Sequence, residues 1–162
     1  MNIYVKNLSK KFNNYVAVNN INFFLNKNKT LGILGPNGCG KTTSIGMMLG
    51  LITPSSGEVF INDQDVNKAN RNDLLSKMNF ASPYIELPKK LTVRQNLEVY
   101  GRLYGVENLK DRIFEISEDL DLNNFLNKKT GELSSGQKNR VSLAKSLINK
   151  PEVLFLDEPT AS

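Results

Sequence analysis

Nine consecutive residues, Gly35, Pro36, Asn37, Gly38, Cys39, Gly40, Lys41, Thr42 and Thr43, place glycines, a lysine and hydroxyls in the order GxxxxGK[ST]. That order suits a phosphate cradle. Glycines at 35, 38 and 40 let the backbone turn with its N–H groups converging inward, and a helix starting at Lys41 adds its positive end. Lys41 supplies a full charge to the outer phosphates, and the Thr42 hydroxyl is placed to ligate Mg²⁺. The plain alternative is a glycine-rich turn before a helix. A buried strand expected at residues 30–34 (TLGIL) and a helix expected over 41–51 favour the phosphate reading.

Two further groups could do chemistry. The apolar run VLFL (153–156) predicts a parallel strand buried on both faces, and it ends in Asp157 and Glu158. Open α/β sheets place their ligands at such strand ends, so Asp157 suits a hold on Mg²⁺ and Glu158 a base that orients attacking water. The other group is Leu133, Ser134, Ser135, Gly136 and Gln137. By itself it reads as an ordinary helix N-cap; beside a phosphate cradle in the same chain it suggests a second phosphate-facing helix end.

The elements that must position these residues are legible in outline. IYVKNL (3–8), INFFL (21–25) and EVFIN (58–62) read as strands, and MNFA (78–81) as a weaker one. From 82 onward the pattern turns helical. Thr92 and Gln95 have capping-box spacing, with Val93, Leu97, Tyr100, Leu103 and Tyr104 as an apolar face; Leu109, Ile113, Ile116 and Leu120 repeat it. Val141, Ala144, Leu147 and Ile148 give a third inward stripe, closed by Pro151. The expected division is an α/β core of 1–81 and 150–162, interrupted by a helical subdomain at 82–149.

At 162 residues, with 40% hydrophobic and 23% charged residues, the chain suits a single soluble domain with a sizeable core. No apolar run reaches the ~20 residues of a membrane span, and the N-terminus lacks a signal-peptide core, so a cytoplasmic location is expected. One cysteine, Cys39, excludes an internal disulfide and a multi-cysteine zinc site. The net charge of +5 is spread over scattered lysines and arginines, so no direct nucleic-acid contact is expected.

With these motifs in place, the chain resembles the ATP-binding cassette ATPases, specifically the nucleotide-binding subunits of transporters. The resemblance runs through GPNGCGKTT, GLITPSSGEVFI, LTVRQNLEVYGRLYGV and LSSGQKNRVSLAKSLINKPEVLFLDEPTAS. It implies a P-loop NTPase core of α/β class with N-terminal antiparallel strands and an inserted helical subdomain. It implies ATP and Mg²⁺ as ligands, and a head-to-tail dimer in which the cradle of one copy and the signature Leu133–Gln137 of another hold one ATP. A membrane permease partner, on whose cytoplasmic side the subunit sits peripherally, is implied as well. Phe12 takes the position of the aromatic residue that stacks on adenine, with Tyr15 close by.

Three departures stand against the family pattern. Ser135 occupies a position usually held by glycine. The glutamine that normally touches Mg²⁺ and water falls near Ser82 or Pro83. The chain ends at Pro159, Thr160, Ala161 and Ser162 and contains no histidine, so C-terminal core elements and the switch histidine are expected to be missing from it. Two other readings are a soluble cassette ATPase acting on ribosome or nucleic acid, and a nucleotide-binding module without turnover. About ninety residues separate Lys41 from Leu133, leaving no room for a coiled-coil arm.

Overall fold

The computed structural model describes residues 1–68, 72–82 and 86–157, and the chain divides into two compact units, Met1–Leu75 and Ser76–Ser162. The first unit is built on a hairpin, β1 (Ile3–Phe12) and β2 (Tyr15–Leu25), whose two-residue turn uses Asn13 at φ 51°. Strands β3 (Ser56–Ile61) and β4 (Gln64–Asp65) complete an antiparallel sheet in the order β2-β1-β3-β4. Asn62 and Asp63 join β3 to β4 with φ of 48° and 61°, the left-handed pair that a tight hairpin requires. Alternation sends Ile3, Val5, Val59 and Ile61 to one face, where all four are buried. Helix α1 (Lys41–Met48) buries everything from Ser44 to Met48, and Gly50, at φ 66°, turns the chain soon after its end. The helix is therefore shorter than the 41–51 expected.

Residues 30–34 correct a second expectation. They form no strand, and Leu31, Ile33 and Leu34 are exposed, Leu34 at 94%. A strand buried on both faces needs a neighbour at each edge to take its alternating N–H and C=O groups, and among the described residues none pairs with this segment.

The short helix α2 (Asn72–Ser76) leads to β5 (Met78–Ala81), which pairs in parallel with β6 (Val153–Leu156) in the second unit. Between these strands run α3 (Val93–Leu103), α4 (Leu109–Asp119) and α5 (Ser135–Leu147), with 3₁₀ turns at Asn123–Phe125 and Thr130–Glu132. Val93, Leu97, Ile113, Ile116, Val141, Ala144 and Ile148 meet in one core, as their helical spacing predicts. The inner face of α3 is Val93, Asn96, Leu97 and Gly101, whereas Leu103 is 74% exposed. β6 is also less enclosed than expected. Val153 and Phe155 are buried but Leu156 is 40% exposed, because β5 is the one strand paired with it among the described residues. The fold class, α/β with antiparallel strands first and a helical subdomain after, is as expected.

Candidate nucleotide-binding site

The cradle lies in the first unit, between β2 and α1. Lys41 crosses it from the helix end, its Nζ donating to the carbonyls of Gly35 (2.8 Å) and Pro36 (2.9 Å). This ties the first residue of α1 back to the first two residues of the loop. Cys39 N–H donates to Pro36 O at 3.3 Å, a tight internal turn. Gly40 is the N-cap of α1 at φ 93°, and a Cβ built on it would fall well inside 3.0 Å of the Ala17 carbonyl oxygen of β2. Only glycine fits that combination of left-handed backbone and close approach. Helix α1 carries no acidic residue in its first turn, and Gly40 provides no side-chain cap, so the positive helix end is not neutralised from within.

Cys39 is exposed, with its Sγ 3.9 Å from Lys41 Nζ. Thr42 is exposed on the first helical turn and Thr43 is partly buried beside it. Phe12 ends β1, 45% exposed, with Lys10 Nζ 5.0 Å from its ring centroid. Tyr15, opposite Phe12 in the hairpin, donates its hydroxyl to Gly38 O at 3.1 Å. That contact, linking the first hairpin to the cradle, spans 23 residues of sequence and has no local signal.

The second unit holds the other candidates. Asp157 follows β6 and is 3% exposed; its N–H donates to Ala81 O at 2.9 Å, continuing the parallel ladder by one residue. Ser82, one of the two positions where the family glutamine falls, is buried directly after β5, at the same sheet end. Glu158 and Pro83 lie outside the described residues. Among the described residues no three His, Cys, Asp or Glu side chains form a cluster able to hold a metal. A Mg²⁺ here would need phosphate oxygens and water among its ligands, which is how that ion usually binds beside one or two protein groups.

The Leu133–Gln137 segment opens α5. Leu133 is buried, and Ser134 and Gln137 make a reciprocal capping box, Gln137 N–H to Ser134 Oγ at 3.2 Å and Ser134 N–H to Gln137 Oε1 at 3.0 Å. Gln137 is thereby engaged within its own turn. Ser135 and Gly136 are exposed at the first helical positions, where their N–H groups have no acceptor among the described residues, and the space beside Gly136 is open. This is a donor-rich helix end facing solvent, which suits an anion.

Comparison with known proteins agrees with this geometry. The family model described as ABC transporter matches residues 18–161. The chain is 36% identical over 161 residues to the probable multidrug ABC transporter ATP-binding protein YbhF of Escherichia coli (strain K12), aligning 98% of itself with 28% of that protein. It is 36% identical to the Nod factor export ATP-binding protein I of Burkholderia lata, 96% of the chain against 51% of the relative. It is 33% identical to the spermidine/putrescine import ATP-binding protein PotA of Clostridium acetobutylicum, 97% against 45%. The chain thus spans between about a quarter and a half of the length of these relatives. A dimeric ATP-binding cassette in a post-hydrolysis state, bound to ADP and Pi, superposes with a TM-score of 0.85 at 28% identity, covering 98% of the chain and 74% of that structure. An ATP-binding cassette of an ABC transporter gives 0.86 at 26%, covering 99% and 70%. With the cradle, the strand-end carboxylate and the capped signature turn all carried on a matching fold, the chain belongs to the ABC transporter family of ATP-binding cassettes.

Proposed function

We propose that the chain binds ATP with Mg²⁺ through residues 35–43 and serves as the ATP-hydrolysing part of a transporter, acting head to tail with a second cassette. The observation that carries this reading is the loop closed by Lys41 onto the Gly35 and Pro36 carbonyls, leading into a start of α1 with no side-chain cap, no acidic first turn and the free N–H donors of a helix end. Phosphate oxygens take those N–H donors, and Lys41 carries the charge that faces the outer phosphates. Thr42 and Asp157 would hold Mg²⁺, which when bound would neutralise charge on the phosphates. Glu158 orients the attacking water, and Ser134, Ser135 and Gly136 of the second cassette offer the open end of α5 to the same nucleotide. Phe12, beside Tyr15, stacks on the base.

The relatives' names span export and import, which supports the shared step of ATP-driven transport. No helix among the described residues is long and apolar enough to cross a membrane. Membrane passage in this reading belongs to a permease partner, on whose cytoplasmic side the cassette sits. Calorimetric titration with MgATP tests the binding step. Lys41→Ala is expected to weaken affinity at least tenfold, about 1.4 kcal/mol; equal affinities for wild type and variant would overturn the reading.

A further inference from the structure

Helix α3 begins with its first-turn donors occupied. Val93 N–H donates to Lys128 O (3.0 Å), Arg94 N–H to Leu126 O (2.9 Å) and Gln95 N–H to Thr92 Oγ1 (3.1 Å). The carbonyls of Leu126 and Lys128 belong to the loop that runs into the signature turn, so that loop is itself the cap of α3. The attachment continues in the other direction. Thr130 N–H donates to Leu91 O and Gly131 N–H to Lys89 O, both at 3.0 Å, and Thr92 and Lys129 form an antiparallel bridge.

Asn96 lies at the centre of this contact, 1% exposed. Its Nδ2 faces the carbonyls of Pro88 (3.2 Å), Thr92 (3.1 Å) and Leu91 (3.5 Å), with Thr130 Oγ1 at 3.4 Å. Turning the amide over would set Oδ1 against those same carbonyl oxygens, so its orientation is fixed by chemistry. Thr130 Oγ1 in turn donates to Pro88 O at 2.7 Å. Asn96 Oδ1 has no partner among the described residues. A buried amide with an unpaired oxygen is a poor way to fill a helix core, where a leucine would bury more favourably. What Asn96 supplies instead is one fixed conformation shared by two loops, 86–91 before α3 and 126–132 before α5.

The second of those loops leads straight into the signature, with buried Leu133 and then the Ser134 cap. We infer that Asn96 and Thr130 form a latch that positions the open end of α5, and that they are positioning residues for its contact with nucleotide held by a second copy. This rests on the proposed role of Leu133–Gln137. Neither residue belongs to the cradle, so the latch acts on assembly and leaves the first binding event alone.

The test pairs MgATP affinity, by calorimetry, with MgATP-driven association of the chain, by sedimentation. Thr130→Val removes the hydroxyl donor and Asn96→Leu removes the amide while keeping the branching and the number of side-chain heavy atoms. Both are expected to bind MgATP within twofold of wild type, to associate at least tenfold more weakly, and to exchange the Thr130 and Gly131 amide protons faster. Thr130→Ser keeps the donor and is expected to restore association. Ile113→Val, a core change in α4 of the same unit, controls for lost stability and is expected to associate as wild type does. If Gly136→Glu blocks association while Thr130→Val and Asn96→Leu associate like wild type, the latch is overturned and the signature reading stands. If wild type does not associate with MgATP, or Gly136→Glu associates normally, the signature reading falls and the latch falls with it.

Discussion

Replacing Gly40 with alanine should break the cradle in a way that the same change at Gly38 does not. Both residues have left-handed backbone, φ 93° and 81°, where an L side chain costs roughly 1–2 kcal/mol. They differ in what the new methyl meets. At Gly38 nothing lies within 4 Å of the Cβ; at Gly40 the Ala17 carbonyl oxygen lies well under 3.0 Å away and a Val18 methyl at 3.0 Å. That oxygen is backbone and not the end of a flexible side chain, so β2 or the start of α1 must shift, adding about 1–3 kcal/mol of overpacking. The expected losses are about 1–2 kcal/mol for Gly38→Ala and about 2–5 kcal/mol for Gly40→Ala. Urea unfolding of both variants measures the difference, and MgATP titration of the folded fraction follows the loop. Gly40→Ala is expected to lose more affinity than stability alone explains, because the displaced helix start carries the Lys41 donor. Equal destabilisation by the two substitutions would refute the reasoning that Gly40 is required by its contact with β2.

Other outcomes follow from single contacts. Exposed Cys39 is expected to react with maleimide and to be protected by saturating MgATP; equal labelling rates in both conditions would place the thiol outside the nucleotide site. Arg112 donates to Leu147 O (2.5 Å) and Ile148 O (3.2 Å) at the end of α5, so Arg112→Ala should cost about 1.5–3 kcal/mol in urea unfolding, and a loss under 0.5 kcal/mol would contradict this. The same change should raise the Glu115 pKa, which the hydrogen bond from Arg112 holds below the ordinary carboxylate range; an unchanged carbon-detected NMR titration of Glu115 would argue against that cause. Lys145 is 9% exposed, its Nζ 5.1 Å from the ring centroid of Tyr100 and 5.9 Å from that of Tyr104, and burial lowers its pKa. The neutral amine is favoured in the fold, so stability should rise with pH between the lowered folded value and the unfolded one. The stability of wild type relative to Lys145→Met is therefore expected to rise as pH approaches the unfolded lysine value, and a difference that stays constant or falls would contradict the sign.

What the sequence revealed was mostly local. The Thr92–Gln95 capping box, the N-cap before α5 and the inward stripes of α4 and α5 each depend on residues a few positions apart, and each appears where its spacing placed it; that Gln137 returns the Ser134 cap as a full capping box is added by the structure. Residues 30–34 failed as a strand because ladder partners must come from elsewhere in the fold, and apolar character does not supply them. One-sided burial of β6 has the same cause. Tyr15 escaped notice as a cradle contact because its hydroxyl reaches Gly38 across a hairpin and a loop. Asn96 was invisible for a different reason. A polar residue within an amphipathic helix reads as solvent-facing, and only the carbonyls of Pro88, Leu91 and Thr92 explain its burial.

The central claim is that nucleotide phosphates bind at residues 35–43 through backbone N–H groups and Lys41. Backbone amide NMR of the 162-residue chain during MgATP titration tests it most directly. The account predicts that the largest shifts fall on the amides of Gly38, Cys39, Gly40, Lys41 and Thr42, saturate together, and disappear over the same concentrations in Lys41→Ala. Saturable shifts centred elsewhere, with those five amides unmoved, would contradict it.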